Sequence, residues 1–163
     1  MLISHGTRNT ITEHIRRLFG GNPTRIQAAA LPWRKTGRGV EVMLVTSCGT
    51  GRWVLPKGWP EGKEPLHNAA AREAGEEAGV KGVIGESEVG RYFYDKEQPS
   101  GLPWRCEVHV FPLEVEREAK KWPEMKKRVR KWFRAEQAAS LVDEPDLGEI
   151  IMRFGNNPRK IAA

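Results

Sequence analysis

The sequence predicts an α/β fold in which a mixed central sheet lies between helical layers. Two observations carry this. Strand-like apolar segments stand both before and after one central helical stretch, and two further helical stretches close the chain. That order puts strands in one layer and helices on its faces. The chain has 163 residues, 39% of them apolar and 29% charged, which suits one domain with room for a core.

Taken in order, residues 1–24 read as an N-terminal appendage. It holds a short helix over 11–19 whose Ile11, Ile15, Leu18 and Phe19 share a face, and Gly20, Gly21, Asn22 and Pro23 end it. Residues 25–33 and 40–47 read as the first two strands, joined by a KTGRG turn. A turn over 48–51 leads to a short strand over 52–55. Residues 56–64 contain two prolines and two glycines, so they form a loop. A loop between a strand and a helix is a natural place for a ligand. Beyond the helix, Lys81 and Gly82 turn the chain, 83–95 is strand-like, and 96–103 is a polar turn. Residues 104–115 alternate apolar and polar, as in a strand with one solvated or cavity-facing side. Residues 116–134 carry nine Lys or Arg. Pro123 rules out one unbroken helix there, leaving a loop over 122–127 and a strand near 129–133. Residues 135–141 and 145–154 read as helices, and 156–163 as a C-terminal tail.

The central helix organises the rest. Pro65 suits its first turn, and Gly79 is placed to end it. On a helical wheel Glu73, Glu76 and Glu77 share one face, and Ala71, Ala74, Gly75 and Ala78 form a smooth opposite face for close packing on a sheet. The acidic face is unfavourable as structure alone. Carboxylates near a helix C-terminus oppose the macrodipole, and like charges at i,i+3 and i,i+4 repel. At about 5.5 Å and an effective dielectric near 20, each pair costs on the order of 3 kcal/mol before screening. Arg72, four residues before Glu76, offsets part of this. A hard divalent cation such as Mg²⁺ would offset far more, because it takes oxygen ligands. A solvated acidic face is the plain alternative.

The spacing of Gly58, Glu64 and the run Arg72-Glu73-Ala74-Gly75-Glu76-Glu77-Ala78-Gly79-Val80 is that of the Nudix box, and the chain resembles the Nudix hydrolase family. Ala74 departs from the larger aliphatic residue usual there, a change that touches packing. The resemblance implies the α/β/α Nudix sandwich over residues 25–155. It also implies cleavage of a diphosphate linkage by water attack on phosphorus, with Mg²⁺ as cofactor and Mn²⁺ as the alternative. It marks Glu73 and Glu77 as metal ligands, Glu76 as a ligand or general base, and Arg72 as the group that orients the carboxylates. Glu64 is expected to support the loop or an outer metal shell. Such enzymes often use a further acid outside the box. Glu124 is the candidate, and Glu107, Glu114 and Glu116 compete with it.

Substrate choice must come from outside the box. Arg52 and Lys57 flank its entry and are candidates to grip phosphates. Gly58 permits close backbone approach, and a carbonyl at Lys57 or Gly58 is a candidate metal ligand. RWVLPKG, the loop around Trp122 and RKWFRAEQAASLV are similar to diphosphoinositol polyphosphate and diadenosine polyphosphate phosphohydrolases. Lys57 departs from the glycine common in the inositol-type members. An anionic polyphosphorylated small molecule is therefore the expected ligand. Trp59, Tyr92, Tyr94, Trp104 and Trp122 are candidates for base stacking or for packing. His109 is a candidate to line a site or to be packed, and His67 lies off the acidic face.

The net charge is +6. Basicity of this kind also suits RNA, so RNA 5′-pyrophosphate removal and a non-catalytic RNA-binding module stand as the alternatives. No stretch approaches the 18 apolar residues of a membrane span, and the N-terminal segment lacks a signal core, so a cytoplasmic location is expected. Cys48 and Cys106 are too few and too isolated for a disulfide framework or a zinc site, and two reduced thiols are expected.

Overall fold

The computed structural model describes residues 4–19 and 23–158. In chain order these form α1 (His5–Leu18), β1 (Arg25–Thr36), β2 (Gly39–Thr46), β3 (Trp53–Val54), β4 (Lys57–Gly58), α2 (Leu66–Glu73) running into a π-helical turn (Ala74–Ala78), β5 (Val80–Ile84), β6 (Gly90–Lys96), β7 (Trp104–Glu118), β8 (Arg130–Arg134), α3 (Ala135–Leu141) and α4 (Pro145–Asn156). The strands make one mixed sheet in the order β3-β2-β1-β7-β5, with β4 on β1, β6 on β7 and β8 on β2. β1 and β7 run parallel at its centre; the other pairs are antiparallel.

β1 is buried on both faces, and its alternating side chains feed two cores. Ala29, Leu31 and Trp33 join Leu147, Ile151 and Phe154 of α4 on one side. Ala28 and Ala30 meet Ala69, Ala70, Ala74 and Ala78 on the other. The facing alanines let α2 lie close to the sheet. The smooth face is thus Ala69, Ala70, Ala74 and Ala78, all fully buried, and not the Ala71, Ala74, Gly75 and Ala78 expected from an ideal wheel. The last turn is the reason. An i→i+5 turn delays the rotation of the chain, which brings Ala78 into line with Ala70 and Ala74 and leaves Gly75 half-exposed. Gly79 ends the turn at φ 64°, with its N–H donating to the Ala74 carbonyl. A Cβ there would lie 2.7 Å from Trp122 Cγ, so both the backbone angle and the space demand glycine.

Several local readings are corrected. Lys81 and Gly82 are not a turn but lie inside β5, where the ladder shifts register between them. The 83–95 segment is two strands, and Lys57 and Gly58 of the expected loop pair with Ala29 and Ala28. Helix α1 starts at His5, capped by the Ser4 hydroxyl accepting from the Thr7 N–H. Its apolar face does not dock: Ile11, Ile15, Leu18 and Phe19 are exposed. The surface it meets offers carboxylates instead. Asn9 Nδ2 donates to buried Asp146 Oδ2 at 2.9 Å, and Arg17 reaches Glu107. The expected break at Gly20, Gly21 and Asn22, and residues 159–163 of the expected tail, lie outside the described residues.

The C-terminus of the π turn is held from outside. Arg130 donates from Nη1 to the Ala78 carbonyl at 2.7 Å and the Gly79 carbonyl at 3.3 Å, and from Nη2 to the Ala119 carbonyl at 2.8 Å. The Ala78 carbonyl is one that a helix end leaves without a partner, and the Ala119 carbonyl follows β7. Arg130→Ala is expected to destabilise the fold by about 2 kcal/mol, the cost of stranding such acceptors. Urea unfolding checks this, and an unchanged midpoint would contradict the role.

Candidate active site

The site forms where β4 passes the end of α2. Glu73 closes the last α turn, and its carboxylate lies against the α-carbon of Gly58. A Cβ at Gly58 would fall 2.2 Å from Glu73 Cδ. Arg72 sits beside it and gathers the loop. It donates to Glu73 Oε1 at 2.8 Å, to the Trp59 carbonyl at 2.9 Å and to both oxygens of Glu64 at 3.2 and 3.3 Å. It also stands 3.5 Å from Glu76 Oε1. Glu64 completes the loop by accepting the Glu61 N–H, the supporting position expected of it. Its pKa is held below the usual range by Arg72.

Glu77 points the other way and is buried. Its Oε2 accepts the Lys57 N–H at 3.1 Å, and its Oε1 accepts from Arg128 Nη2. Arg128 also donates to Glu124 Oε2 and, at 3.0 Å, to the Thr46 carbonyl. The Glu124 N–H donates to the Glu76 carbonyl at 3.1 Å. The fold therefore brings Glu124 to the box. Glu107 is elsewhere, paired with Arg91, Arg17 and His109. Glu114 and Glu116 are exposed on β7.

Burial pushes the Glu77 carboxyl up to about 7, against the pull of Arg128. Burial also raises Glu73, against Arg72. Lys57 is lowered by burial, with Glu77 opposing. A cation binding here would reverse the penalty on the two carboxylates. The donor set is all oxygen, which fits a hard divalent ion, and the missing Cβ at Gly58 leaves the Glu73 carboxylate its place. Arg72 pairs with Glu73 and Glu76, Arg128 pairs with Glu77 and Glu124, and among the described residues no three acids converge on one point.

The other candidates fall as follows. Arg52 is bound to Glu144 at 2.7 Å and Asp143 at 3.5 Å, tying the β3 entry to the start of α4. Lys57 directs Nζ toward the Tyr94 ring at 5.2 Å, and Tyr94 donates to Gln27 Oε1 at 2.6 Å. Tyr92 is core. Trp59 and Trp104 meet edge to face, with Lys96 over the first ring and Arg25 over the second. Trp122 lies behind the π turn, where its Nε1 donates to the Glu77 carbonyl. His67 packs on Phe111, and His109 is packed between Glu88 and Glu107. Cys48 and Cys106 are free thiols. No described helix is long and apolar enough to cross a membrane.

Sequence reasoning missed Arg128. The signal existed, since it stands four residues after Glu124 as an i,i+4 partner, but it was one cation in a run of many.

The sequence and the fold match known proteins. The NUDIX domain pattern matches residues 23–154. The chain is 32% identical over 145 residues to the mitochondrial Nudix hydrolase 16 of Arabidopsis thaliana, covering 79% of this chain and 78% of that protein. It is 34% identical over 139 residues to diphosphoinositol polyphosphate phosphohydrolase 3-alpha of Mus musculus, covering 81% and 80%. It spans about half the length of some other plant Nudix hydrolases. Among solved structures, a C. elegans Ap4A hydrolase in a binary complex superposes with a TM-score of 0.62 at 23% identity, over 82% of this chain and 96% of that one, a likeness that speaks to fold alone. The chain belongs to the Nudix family. It is an enzyme of that family, a Nudix pyrophosphohydrolase, and Nudix hydrolases use divalent metals.

Proposed function

We propose that this enzyme hydrolyses a diphosphate linkage in an anionic, polyphosphorylated small molecule, with dinucleoside polyphosphates and diphosphoinositol polyphosphates as the preferred class and Mg²⁺ as the ion. The observation that carries this is the gathering of Glu73 and Glu76 by Arg72, with Glu73 against the open backbone of Gly58, and of Glu77 and Glu124 by Arg128 on the adjoining side of the same turn. The name of the murine relative supports the substrate class.

Glu73, Glu76 and Glu77 would hold Mg²⁺. When bound, such an ion neutralises phosphate oxygens and lowers the pKa of water. Arg72 orients Glu73 and Glu76 by charge-assisted hydrogen bonds, and Glu76 or Glu124 receives a proton from the attacking water. Lys57 and Gly58 form the edge along which the phosphates lie. Arg52 faces them only if it releases Glu144.

Turnover with Mg²⁺ across dinucleoside polyphosphates, diphosphoinositol phosphates, nucleotide sugars, nucleoside triphosphates and 5′-triphosphorylated RNA tests the proposal. The first two classes are expected to be hydrolysed fastest, and product identification locates the attacked phosphorus. Faster release from RNA would move the assignment to a 5′-pyrophosphohydrolase. Mg²⁺ is also expected to raise the melting temperature of the wild-type chain by mass action and to have little effect on a Glu73→Gln/Glu77→Gln double variant. Equal shifts in both would remove the metal from these residues.

A further inference from the structure

We propose a second anion site on the reverse side of the π turn, which takes the phosphate oxygens of a polyphosphate or phosphodiester chain. A 300 Å³ pocket there is lined by Gly75, Gly79, Lys81, Arg117, Lys121 and Trp122, among others. Most arginines of this chain are matched to acids, such as Arg34, Arg52, Arg72, Arg91 and Arg128. Lys81, Arg117 and Lys121 have no carboxylate partner among the described residues. Glu118, next to Arg117, is engaged by Arg34, Arg130 and Trp132 Nε1.

The register supplies an independent observation. Lys81 and Arg117 stand directly opposite each other across the antiparallel β5–β7 pair, so their side chains share a face. Like charges directly opposite destabilise a sheet, and among the described residues neither member of this pair has an ion-pair partner. An anion bridging the two offsets the repulsion. The ligand must carry more than one negative oxygen, because three cations line the space. Its remaining surface meets Ala119, Trp122 and Pro123, an apolar wall.

The walls are fixed rather than loose. The Ala119 N–H donates to the Gly79 carbonyl at 2.7 Å, Trp122 Nε1 donates to the Glu77 carbonyl at 3.2 Å, and Arg130 stacks on the Trp122 ring at 3.9 Å. The pocket therefore backs onto the same turn that carries Glu76 and Glu77, and neither of those residues is part of its lining. This site does not depend on what those carboxylates do.

The test uses the full chain in EDTA, titrated with sodium tripolyphosphate or with a short single-stranded oligouridylate, and read by backbone amide NMR. Shifts are expected at Gly75, Gly79, Lys81, Ala119 and Lys121, weakening steeply with salt as phosphate contacts do. Lys81→Ala/Arg117→Ala should weaken this binding at least about tenfold, since two of the three cations are removed. Both residues are exposed, so the variant is expected to fold, which its amide spectrum verifies. Lys57→Ala should leave the binding intact. Response to tripolyphosphate alone assigns the site to free polyphosphates, and response to the oligonucleotide assigns it to phosphodiesters. Shifts confined to residues 52–58 and 73–77, no shifts at all, or equal affinity in the double variant would overturn the proposal.

Discussion

Glu77→Gln is expected to lower kcat for Mg²⁺-dependent hydrolysis by at least about 10²-fold, a barrier increase of about 2.7 kcal/mol, while the chain stays folded. The amide keeps the shape of the side chain and an oxygen to accept the Lys57 N–H, so the contact between β4 and the π turn survives. Arg128 keeps Glu124 and the Thr46 carbonyl. What disappears is a buried negative charge. Burial disfavours that charge against the pull of Arg128 and raises the Glu77 carboxyl, so at neutral pH and above its removal should cost little stability. A destabilised but active variant would mean that Glu77 is structural. A stable variant with little turnover and little melting shift on Mg²⁺ addition is the result that fits a ligand. Turnover within threefold of wild type would remove Glu77 from the site.

This division between charge and shape also explains what could be read from the sequence. The box was legible because its pattern fixes the spacing: three acids at one helix end make little sense as packing, Gly79 stands where only glycine fits, and Gly58 stands where a side chain would displace Glu73. The strands β1 and β2 announced themselves by apolar runs, while β7 looks like an alternating strand with one open side and is instead buried on both faces over residues 106–113. Other features were hidden because tertiary contacts decided them. Lys81 and Gly82 look like a turn, yet β7 extends far enough to pair with them. The Ile11, Ile15 and Leu18 face looks like a docking face, yet α1 is held by Asn9, Glu13 and Arg17 through polar contacts. The π turn leaves no periodic mark in five residues, and it decides which alanines meet the sheet. Arg128 was obscured by its neighbours, since lysines and arginines in a basic run differ only in what they face.

Gly58→Ala separates fit from folding most sharply. Gly58 has no positive φ, so alanine is tolerated by the backbone there. The obstacle is Glu73: the new Cβ would fall 2.2 Å from both its Cδ and Oε1 and 2.6 Å from its Oε2. The strand cannot move away easily, because Gly58 pairs with Ala28, which is fully buried at the sheet centre. The Glu73 carboxylate, at the end of a flexible side chain, must move instead. Its contact with Arg72 Nη1 goes with it, and Arg72 is the group that also reaches Glu76. A rotamer change of this kind costs on the order of 1 kcal/mol, so the melting temperature should fall by only a few degrees. Catalysis should suffer far more, by about 10²-fold, because displacing a group by an ångström at a reacting centre is enough for that. The Mg²⁺-induced melting shift should shrink in parallel. Near-normal turnover in Gly58→Ala would show that Glu73 need not occupy the place the fold gives it.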